Sequence, residues 1–420
     1  MIGMSAALLF ALAIGIPIFA ALGLAGWVGL GGLPLSVMAE QMVSALDSFP
    51  LVAVPLFLLM GHLMTHSGIA TTIVSLANAV LGRFRGGLAL SNIGAGVFFA
   101  GISGSAVADT TALGAILVPA MKREGYGGGF AGAVTAAAGA LGPIIPPSIL
   151  MVLYGVQSGT SIEALFVAGV TPGLAMALAL AVIARVIAGR RRYPVHPPIG
   201  LNETARRFVR AMPGLCLPLI IVVGIVSGIF TVTESAAVAV LYALILALGS
   251  RRSSARDIWR LLKESGTETA AVLIVIAASA FLAWSLTRSQ VPQTLVAFAQ
   301  AHVSDPNLML LVINILLIVV GMFFAPAAGL VVVTPLLAPI GQAYGIDPLQ
   351  LGVMIVFNLN LGLLTPPVGI SLMITARIAG TSYGEQVREA MPFFAASLAV
   401  LAVMTYWPGF VLALPRALGF

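Results

Sequence analysis

The chain has 420 residues; 60% are apolar, 8% are charged, and the mean hydropathy is +1.10. A soluble domain carries roughly 25% charged residues, so no polar shell is available for a core of this size and lipid must act as the solvent. Lys and Arg outnumber Asp and Glu by 20 to 14, but they fall in short stretches beside apolar runs, which fits the positive-inside rule and excludes a solvated nucleic-acid-binding face.

A span needs about 20 mostly apolar residues. The first window is Met4–Gly31. It has no basic leader and is too long for the apolar core of a signal peptide, so it reads as a retained span. His62 and His66 have helical i,i+4 spacing, but Leu63 stands where a zinc-protease motif needs Glu, and no transition-metal site is assigned. Arg83 and Arg85 precede residues 86–121, and Lys122 and Arg123 follow them. That segment therefore starts and ends on the basic, cytoplasmic side. It is too short for two full spans and a turn, and is expected to form a re-entrant hairpin turning at Gly101-Ile102-Ser103-Gly104-Ser105. Residues 130–156 form a span broken at Gly142-Pro143-Ile144-Ile145-Pro146-Pro147-Ser148. Proline lacks an amide donor and clashes with the preceding turn. The pair unwinds the helix and frees carbonyls, which in lipid need a partner. A bound cation is one such partner.

Ala164–Ala188 and Pro213–Phe230 are further spans, with the basic stretch Arg185–Arg210 between them. Cys216, the single cysteine, sits in an apolar run and reads as packing; it rules out an internal disulfide. Glu234, in Thr-Val-Thr-Glu-Ser, reads as an outer loop charge or helix cap. The basic loop Arg251–Lys263 leads into the span Ala270–Leu286. Residues 307–343 have no Lys or Arg in either flank, His302–Pro306 or Tyr344–Pro348, so they start and end outside. A second re-entrant hairpin is expected there, with the apolar window Leu308–Phe324 as its first limb and a turn across Phe324–Gly329. Residues 349–376 repeat the broken span, from Asn358 to Thr365-Pro366-Pro367. Arg377 and Arg388 close the basic series before the span Phe393–Leu412. About ten to twelve spans and two non-crossing hairpins are expected in all.

The two halves, residues 1–210 and 211–420, align without gaps at the punctuation points. Gly101 falls on Gly321, Leu117 on Leu337, Pro119 on Pro339, Gly125 on Gly345 and Gly132 on Gly352. Leu141-Gly142 falls on Leu361-Gly362, and Pro146-Pro147 on Pro366-Pro367. The hairpins enter from opposite faces, so the repeat is inverted in topology. Secondary transporters use that architecture, with the binding site at the repeat interface. The expected fold is an all-α polytopic membrane protein with two re-entrant hairpins and two broken helices.

The polar residues gather at the same breaks. Ser103, Ser105 and Asp109 lie at the first hairpin tip; Asn358, Asn360 and Thr365 lie on the second broken span. An ionisable residue at membrane depth is a functional candidate, although Asp109 can also serve as a helix cap. Asn358 and Asn360 can equally be interhelical hydrogen-bonding residues. Helix starts at Ser105–Thr110 and Ala327–Gly329 point inward and favour an anionic group, such as a carboxylate. No Walker loop, serine elbow or Cys-x-x-Cys occurs, so no enzymatic chemistry is assigned.

Three stretches resemble the large membrane subunit of tripartite ATP-independent periplasmic (TRAP) transporters. They are Gly104-Ser105-Ala106-Val107-Ala108-Asp109 through Gly125-Tyr126; Gly142 through Ser148 with Tyr154-Gly155 and Ala168 through Gly173; and Gly345-Ile346-Asp347-Pro348 through Asn358 to Gly369. The resemblance implies an elevator-type transporter of the ion transporter superfamily kind. It implies a Na⁺-driven importer of organic acids (C4-dicarboxylate or sialic-acid-like) in the bacterial inner membrane, with Na⁺ as coupling ion and no cofactor. The implied partners are a small four-helix membrane subunit, separate from this chain on grounds of length, and a periplasmic substrate-binding protein. Carried onto this sequence, the cation candidates are Ser103, Gly104, Ser105, Asp109, Asn358, Asn360, Thr365 and Pro366. The substrate-pocket candidates are Gly142, Pro146, Pro147, Ala327, Gly329 and Pro367. The sequence departs from the family where an acidic residue often follows Gly321, since Met322-Phe323-Phe324-Ala325 stands there, and where Val232 replaces a proline. The alternatives are a stand-alone ion-coupled carboxylate carrier, a channel or structural membrane subunit, and, last, an intramembrane enzyme.

Overall fold

The computed structural model describes residues 2–29, 32, 34–195, 197, 199–250 and 254–420. Elements among the described residues are all helical. The first half contains α1 (Ile2–Ala13), α2 (Ile18–Gly29), α3 (Leu35–Leu46), α4 (Ala53–His66), α5 (Ile69–Leu81), α6 (Gly87–Ser103), α7 (Ala106–Arg123), α8 (Gly128–Gly139), α9 (Ile149–Ser158) and α10 (Ile162–Arg190). The second contains α11 (Leu201–Val226), α12 (Val232–Gly249), α13 (Ala255–Arg288), α14 (Val291–His302), α15 (Pro306–Phe323), α16 (Pro326–Ala343), α17 (Pro348–Leu361), α18 (Ile370–Ala379), α19 (Tyr383–Tyr406) and α20 (Pro408–Ala417).

Eight helices among the described residues are long and apolar enough to cross a bilayer, against the ten to twelve expected. The difference lies in apolar runs that fold as shorter pieces. Met4–Gly31 is not one span. It breaks at Gly15, whose φ is 81°, and at Pro17, and α1 and α2 fold back on each other. Each has 12 residues, about 18 Å of helix, well short of a hydrocarbon core of about 30 Å. Leu30 and Gly31 lie outside the described residues. Phe393–Leu412 is likewise divided at Trp407-Pro408.

The basic stretches are not loops for most of their length. Arg206, Arg207 and Arg210 extend α11, and Arg256, Arg260 and Lys263 extend α13. Arg251 and Arg252 lie outside the described residues. The polar starts of these helices are stabilised by helix-spaced pairs, Glu203 with Arg207 at 3.0 Å and Asp257 with Arg260 at 3.0 Å. Glu234 closes a capping box with Thr231 at the start of α12. His62 pairs with Glu268 of α13 at 3.1 Å.

Helices α8 and α17 form the centre. From Gly129 to Gly139, and from Gln350 to Leu361, every residue is buried. Helix α8 is built almost wholly of Gly and Ala, which lets neighbouring backbones close in. A Cβ on Gly96 of α6 would stand 2.9 Å from the Ala138 carbonyl oxygen. Helix α8 packs on α6, α7, α18 and α19, while α17 packs on α15, α16, α9 and α10. The second piece of each broken span thus lies against the hairpin of the other half, α18 on α7 and α9 on α16.

The element boundaries recur. Helices α7 and α16 start and end with the same separation as Ala140 and Asn360, which lie 220 positions apart. The breaks after α8 and α17 carry the cis peptides Pro146-Pro147 and Pro366-Pro367 at that same separation.

Because Gly96 faces backbone, not a yielding side chain, Gly96→Val is expected to destabilise the fold by about 1–3 kcal/mol. Thermal unfolding of the purified protein in detergent measures this as a lowered Tm.

Candidate functional site

The first hairpin turns on Gly104-Ser105, the last two residues of the expected turn. Gly101 and Ser103 belong to the end of α6. Gly104 has φ 61°, and a Cβ there would meet the Pro147 carbonyl oxygen at 2.7 Å. The left-handed backbone and the close approach both require glycine. The tip is thereby seated directly on the first broken span. Ser105 is the N-cap of α7, its hydroxyl accepting from the Ala108 amide. Asp109 is therefore not the cap. It is fully buried, and its Oδ1 accepts a 2.5 Å hydrogen bond from the Ser103 hydroxyl. The same hydroxyl oxygen accepts from the Ser105 amide at 3.1 Å.

Across from this tip lies Gly142. A Cβ there would sit 2.6 Å from Asp109 Oδ2 and 3.1 Å from the Ser105 carbonyl carbon. The sequence placed Gly142 among substrate contacts; the structure places it against the carboxylate. Among the described residues Asp109 Oδ2 has no hydrogen-bond partner, and neither have Asn358 Oδ1 and Asn360 Oδ1. Leaving a buried acceptor unmade costs about 1–3 kcal/mol, more for a charged one.

Asn360 joins this site from the other half. Its amide donates to the Ala140 carbonyl at the end of α8, two residues before Gly142. Residue 360 lies 220 positions after residue 140, the offset at which the two stretches of sequence align. Thr110 adds a second cross-link, its hydroxyl 3.4 Å from that of Ser371 on α18. Asn358 turns elsewhere. Its amide donates to Asn314 Oδ1 at 2.8 Å and to the Asn314 carbonyl at 3.1 Å, and Asn314 in turn donates to Thr405. Thr365 bonds its own Leu361 carbonyl at 2.8 Å. Pro366 and Pro367 lie at the rim, where the Tyr383 hydroxyl donates to the Pro367 and Val368 carbonyls.

The second hairpin turns on Phe324-Ala325 alone. Ala327 and Gly329, expected in the turn, sit in the first turn of α16, with Gly329 packed under Leu359. Among the described residues no side chain caps this start. Thr110, Ser371, Asn314 and Thr405 were not singled out from the sequence. Asn314 was legible as the lone amide in the apolar run of α15; the hydroxyls were not, because Ser and Thr satisfy their own helices when unpartnered.

A cavity of about 1360 Å³ lies elsewhere. It is an open cleft beside Gln157, Thr160, Pro339, Asp347, Gln350 and Arg416. None of the substrate-pocket candidates lines it. An open cleft and the buried polar chemistry thus lie in different places, and the chemistry locates the candidate site.

The family model that matches this chain, over residues 4–410, is described as the tripartite ATP-independent periplasmic transporter, DctM component. The chain belongs to this family. It is a large permease subunit and not an enzyme. It is 39% identical over 383 residues to the C4-dicarboxylate TRAP transporter large permease protein DctM of Pseudomonas aeruginosa, covering 91% of this chain and 90% of that one. It is 37% identical over 383 residues to the sialic acid TRAP transporter large permease protein SiaM of Vibrio cholerae, again 91% and 90%. Among solved structures, the Alcanivorax borkumensis YdaH transporter superposes with a TM-score of 0.64 at 16% identity, covering 90% of this chain and 89% of that one. At that identity the likeness speaks for the fold alone. The permease is a multi-pass membrane protein.

Gly142→Ala is expected to push the Asp109 carboxylate out of place while the chain still folds. Uptake by the reconstituted permease should fall by about tenfold, as a displacement near 1 Å in a site can cost that much or more. Unchanged uptake would separate Gly142 from the working site.

Proposed function

We propose that the permease carries organic acids, C4-dicarboxylate or sialic-acid-like, into the cell by sodium-coupled symport across the bacterial inner membrane. It works with a small four-helix membrane subunit and a periplasmic binding protein that delivers the substrate. The observation that carries the reading is Asp109: fully buried, held by Ser103, with one oxygen unpartnered among the described residues beside the broken span.

The donor set suits a hard cation. Asp109, the Ser103 hydroxyl and the carbonyls exposed at the Pro146-Pro147 break are all oxygen ligands, which such ions prefer. The Asn360 side-chain oxygen adds a ligand from the other half. Sodium bound there would draw the α6–α7 tip onto the break. The start of α16, uncapped by any described side chain and positive by its dipole, is then the natural place for the acid group of the substrate. The relatives named for C4-dicarboxylate and for sialic acid support an organic acid as cargo.

The packing supports a reading of alternating access. The recurrence at 220 positions supports an inverted repeat, with the hairpins α6–α7 and α15–α16 re-entrant from opposite faces. The interlocked hairpins and broken spans form one body. Helices α4, α11, α12 and α13, packed on one another at the side, form the frame. The first body moves as an elevator against the second.

The test is uptake into proteoliposomes holding this chain and its small partner subunit, with binding protein loaded with a labelled C4-dicarboxylate. Uptake should need both an inward sodium gradient and the binding protein. Sodium-driven uptake without the binding protein would instead identify a stand-alone carrier. Asp109→Ala should cut uptake by at least about tenfold or abolish its sodium dependence. An unchanged sodium response would remove Asp109 from the ion site.

A further inference from the structure

Helix α7 carries two neighbouring residues with different partners. Asp109 faces the break of the first half, and Thr110, one position on, faces α18 of the second half. Both are fully buried, as is Ser371 on α18. A threonine inside a helix commonly returns its hydroxyl to the carbonyl four residues back. Thr135, Thr334 and Thr405 do so at 2.7 Å, and Thr111, in the same turn as Thr110, does so at 2.8 Å. Thr110 does not. Its hydroxyl is turned across to Ser371 Oγ, 3.4 Å away, its one side-chain partner among the described residues. Gly139 of α8 leaves the space for this. A Cβ there would overlap the Thr110 hydroxyl and stand 2.9 Å from the Thr110 amide nitrogen and 3.0 Å from the Ala106 carbonyl oxygen.

Ser371 sits on a helix that is held elsewhere. At the far ends of the packed pair α7 and α18, Lys122 Nζ donates to the Ala379 carbonyl at 2.6 Å. Thr375, one turn after Ser371, has its hydroxyl 3.5 Å from Gln386 Oε1 of α19, and Gln386 Nε2 donates to Thr381 Oγ1 at 2.7 Å. Gln386 is fully buried and seated against Gly132 of α8, where a Cβ would stand 2.8 Å from its carboxamide carbon. Helix α18 is thus fixed to three neighbours, and its start is a fixed point for the first turn of α7. The two ties between α7 and α18 differ in strength. The Lys122 tie is short and charge-assisted. The hydroxyl pair, at 3.4 Å, is about half an ångström longer than a well-made O–H···O bond. Helix α7 is pinned at its far end and loosely held beside Asp109.

We propose that Thr110 and Ser371 are positioning residues for the cation site at Asp109. Their contact sets the first turn of α7 so that the carboxylate meets the break at Gly142, and it closes to a full hydrogen bond when the ion binds. The inference rests on the reading of Asp109 as a sodium ligand. It adds a route from that site into the second half: Ser371 lies four residues after Pro367, so a shift in the first turn of α7 is felt directly at the second break.

The test is a sodium titration of thermal unfolding, on the full chain in detergent, with choline replacing sodium to keep the ionic strength constant. An ion that binds only the folded state raises Tm with its concentration, so the titration gives an apparent sodium affinity without transport. Thr110→Val keeps the shape and removes the hydroxyl. It should weaken sodium binding by about three- to tenfold, the worth of one hydrogen bond. Thr110→Ser keeps the hydroxyl and should stay within about twofold of the parent. Ser371→Ala should match Thr110→Val, and the double variant should lose no more than either, because both changes remove the same contact. Thr111→Val, bonded to its own helix, should leave sodium affinity unchanged. A merely structural role would lower Tm without sodium and leave the affinity where it was. A parent whose Tm ignores sodium would overturn the sodium reading and this inference with it. A parent that responds, with Thr110→Val of unchanged affinity or with additive losses in the double variant, would overturn the inference alone. If Thr110→Val does not fold, Ser371→Ala carries the same comparison from the other side of the pair.

Discussion

A helix broken inside a bilayer must have its freed backbone groups satisfied by protein, because lipid offers no hydrogen bonds. This chain breaks two helices whose first pieces, α8 and α17, are buried at the centre, and much of its remaining organisation answers that demand. Ser148 turns its hydroxyl onto the Pro143 carbonyl at 2.5 Å and accepts from the Met151 amide at 3.2 Å, closing one break and starting α9. Asn360 reaches from the other half to the Ala140 carbonyl. Tyr383 serves the Pro367 and Val368 carbonyls from the start of α19. One donor, Asn360, comes from the opposite half, so the first half does not satisfy its own break alone. The interlocking of α18 with α7 and of α9 with α16 is the packing counterpart of that exchange.

The two halves share punctuation but not chemistry. At the hairpin tips, Ser103, Ser105 and Asp109 of the first half correspond to Phe323, Ala325 and Gly329 of the second. On the broken spans the imbalance reverses, with Ala138 and Ala140 facing Asn358 and Asn360. The first half carries the carboxylate and the second carries the amides. Small residues on α8 make room for the first tip: Gly139 and Gly142 both lie against the start of α7. Helix α17, with Leu, Val and Phe, instead fills the centre by volume, with Gln350, Asn358 and Asn360 as its buried polar groups. Matching punctuation thus frames an asymmetric set of polar side chains.

The breaks were legible because Gly and Pro act locally. The Pro-Pro pairs, Gly104 and Gly125 mark positions where the backbone itself must change, whatever packs against them. Ile14-Gly15-Ile16-Pro17 carried the same signal, yet an unbroken apolar window hid it, since hydrophobicity does not distinguish one helix from two folded together. The charged starts of α11 and α13 read as loops because charge suggests solvent. They are helical because their charges fall three and four apart and pair along one face. Least legible were partnerships. Asn358 and Asn360 look alike in sequence, but one joins Asn314 and the other crosses to Ala140. Side chains two apart point in different directions on a helix, and only the fold decides what lies in each direction.

Burial of Asp109 links that asymmetry to coupling. A carboxylate fully removed from solvent, with one hydroxyl donor, is poorly compensated, and buried charge persists only when paired. Under the proposed sodium coupling the pairing cation is supplied from outside and withdrawn in each cycle. When it leaves, the uncompensated carboxylate favours readmission of water, and water can reach it only if the tip separates from the break at Gly142 and Pro147. When it returns, the oxygens it gathers belong to α7 on one side and to the break on the other, so binding closes the same gap. Ion occupancy and tip closure are then one event, not two that require a relay between them. Asn360 extends the event to the second half through the Ala140 carbonyl, whose position depends on the closed arrangement of the first.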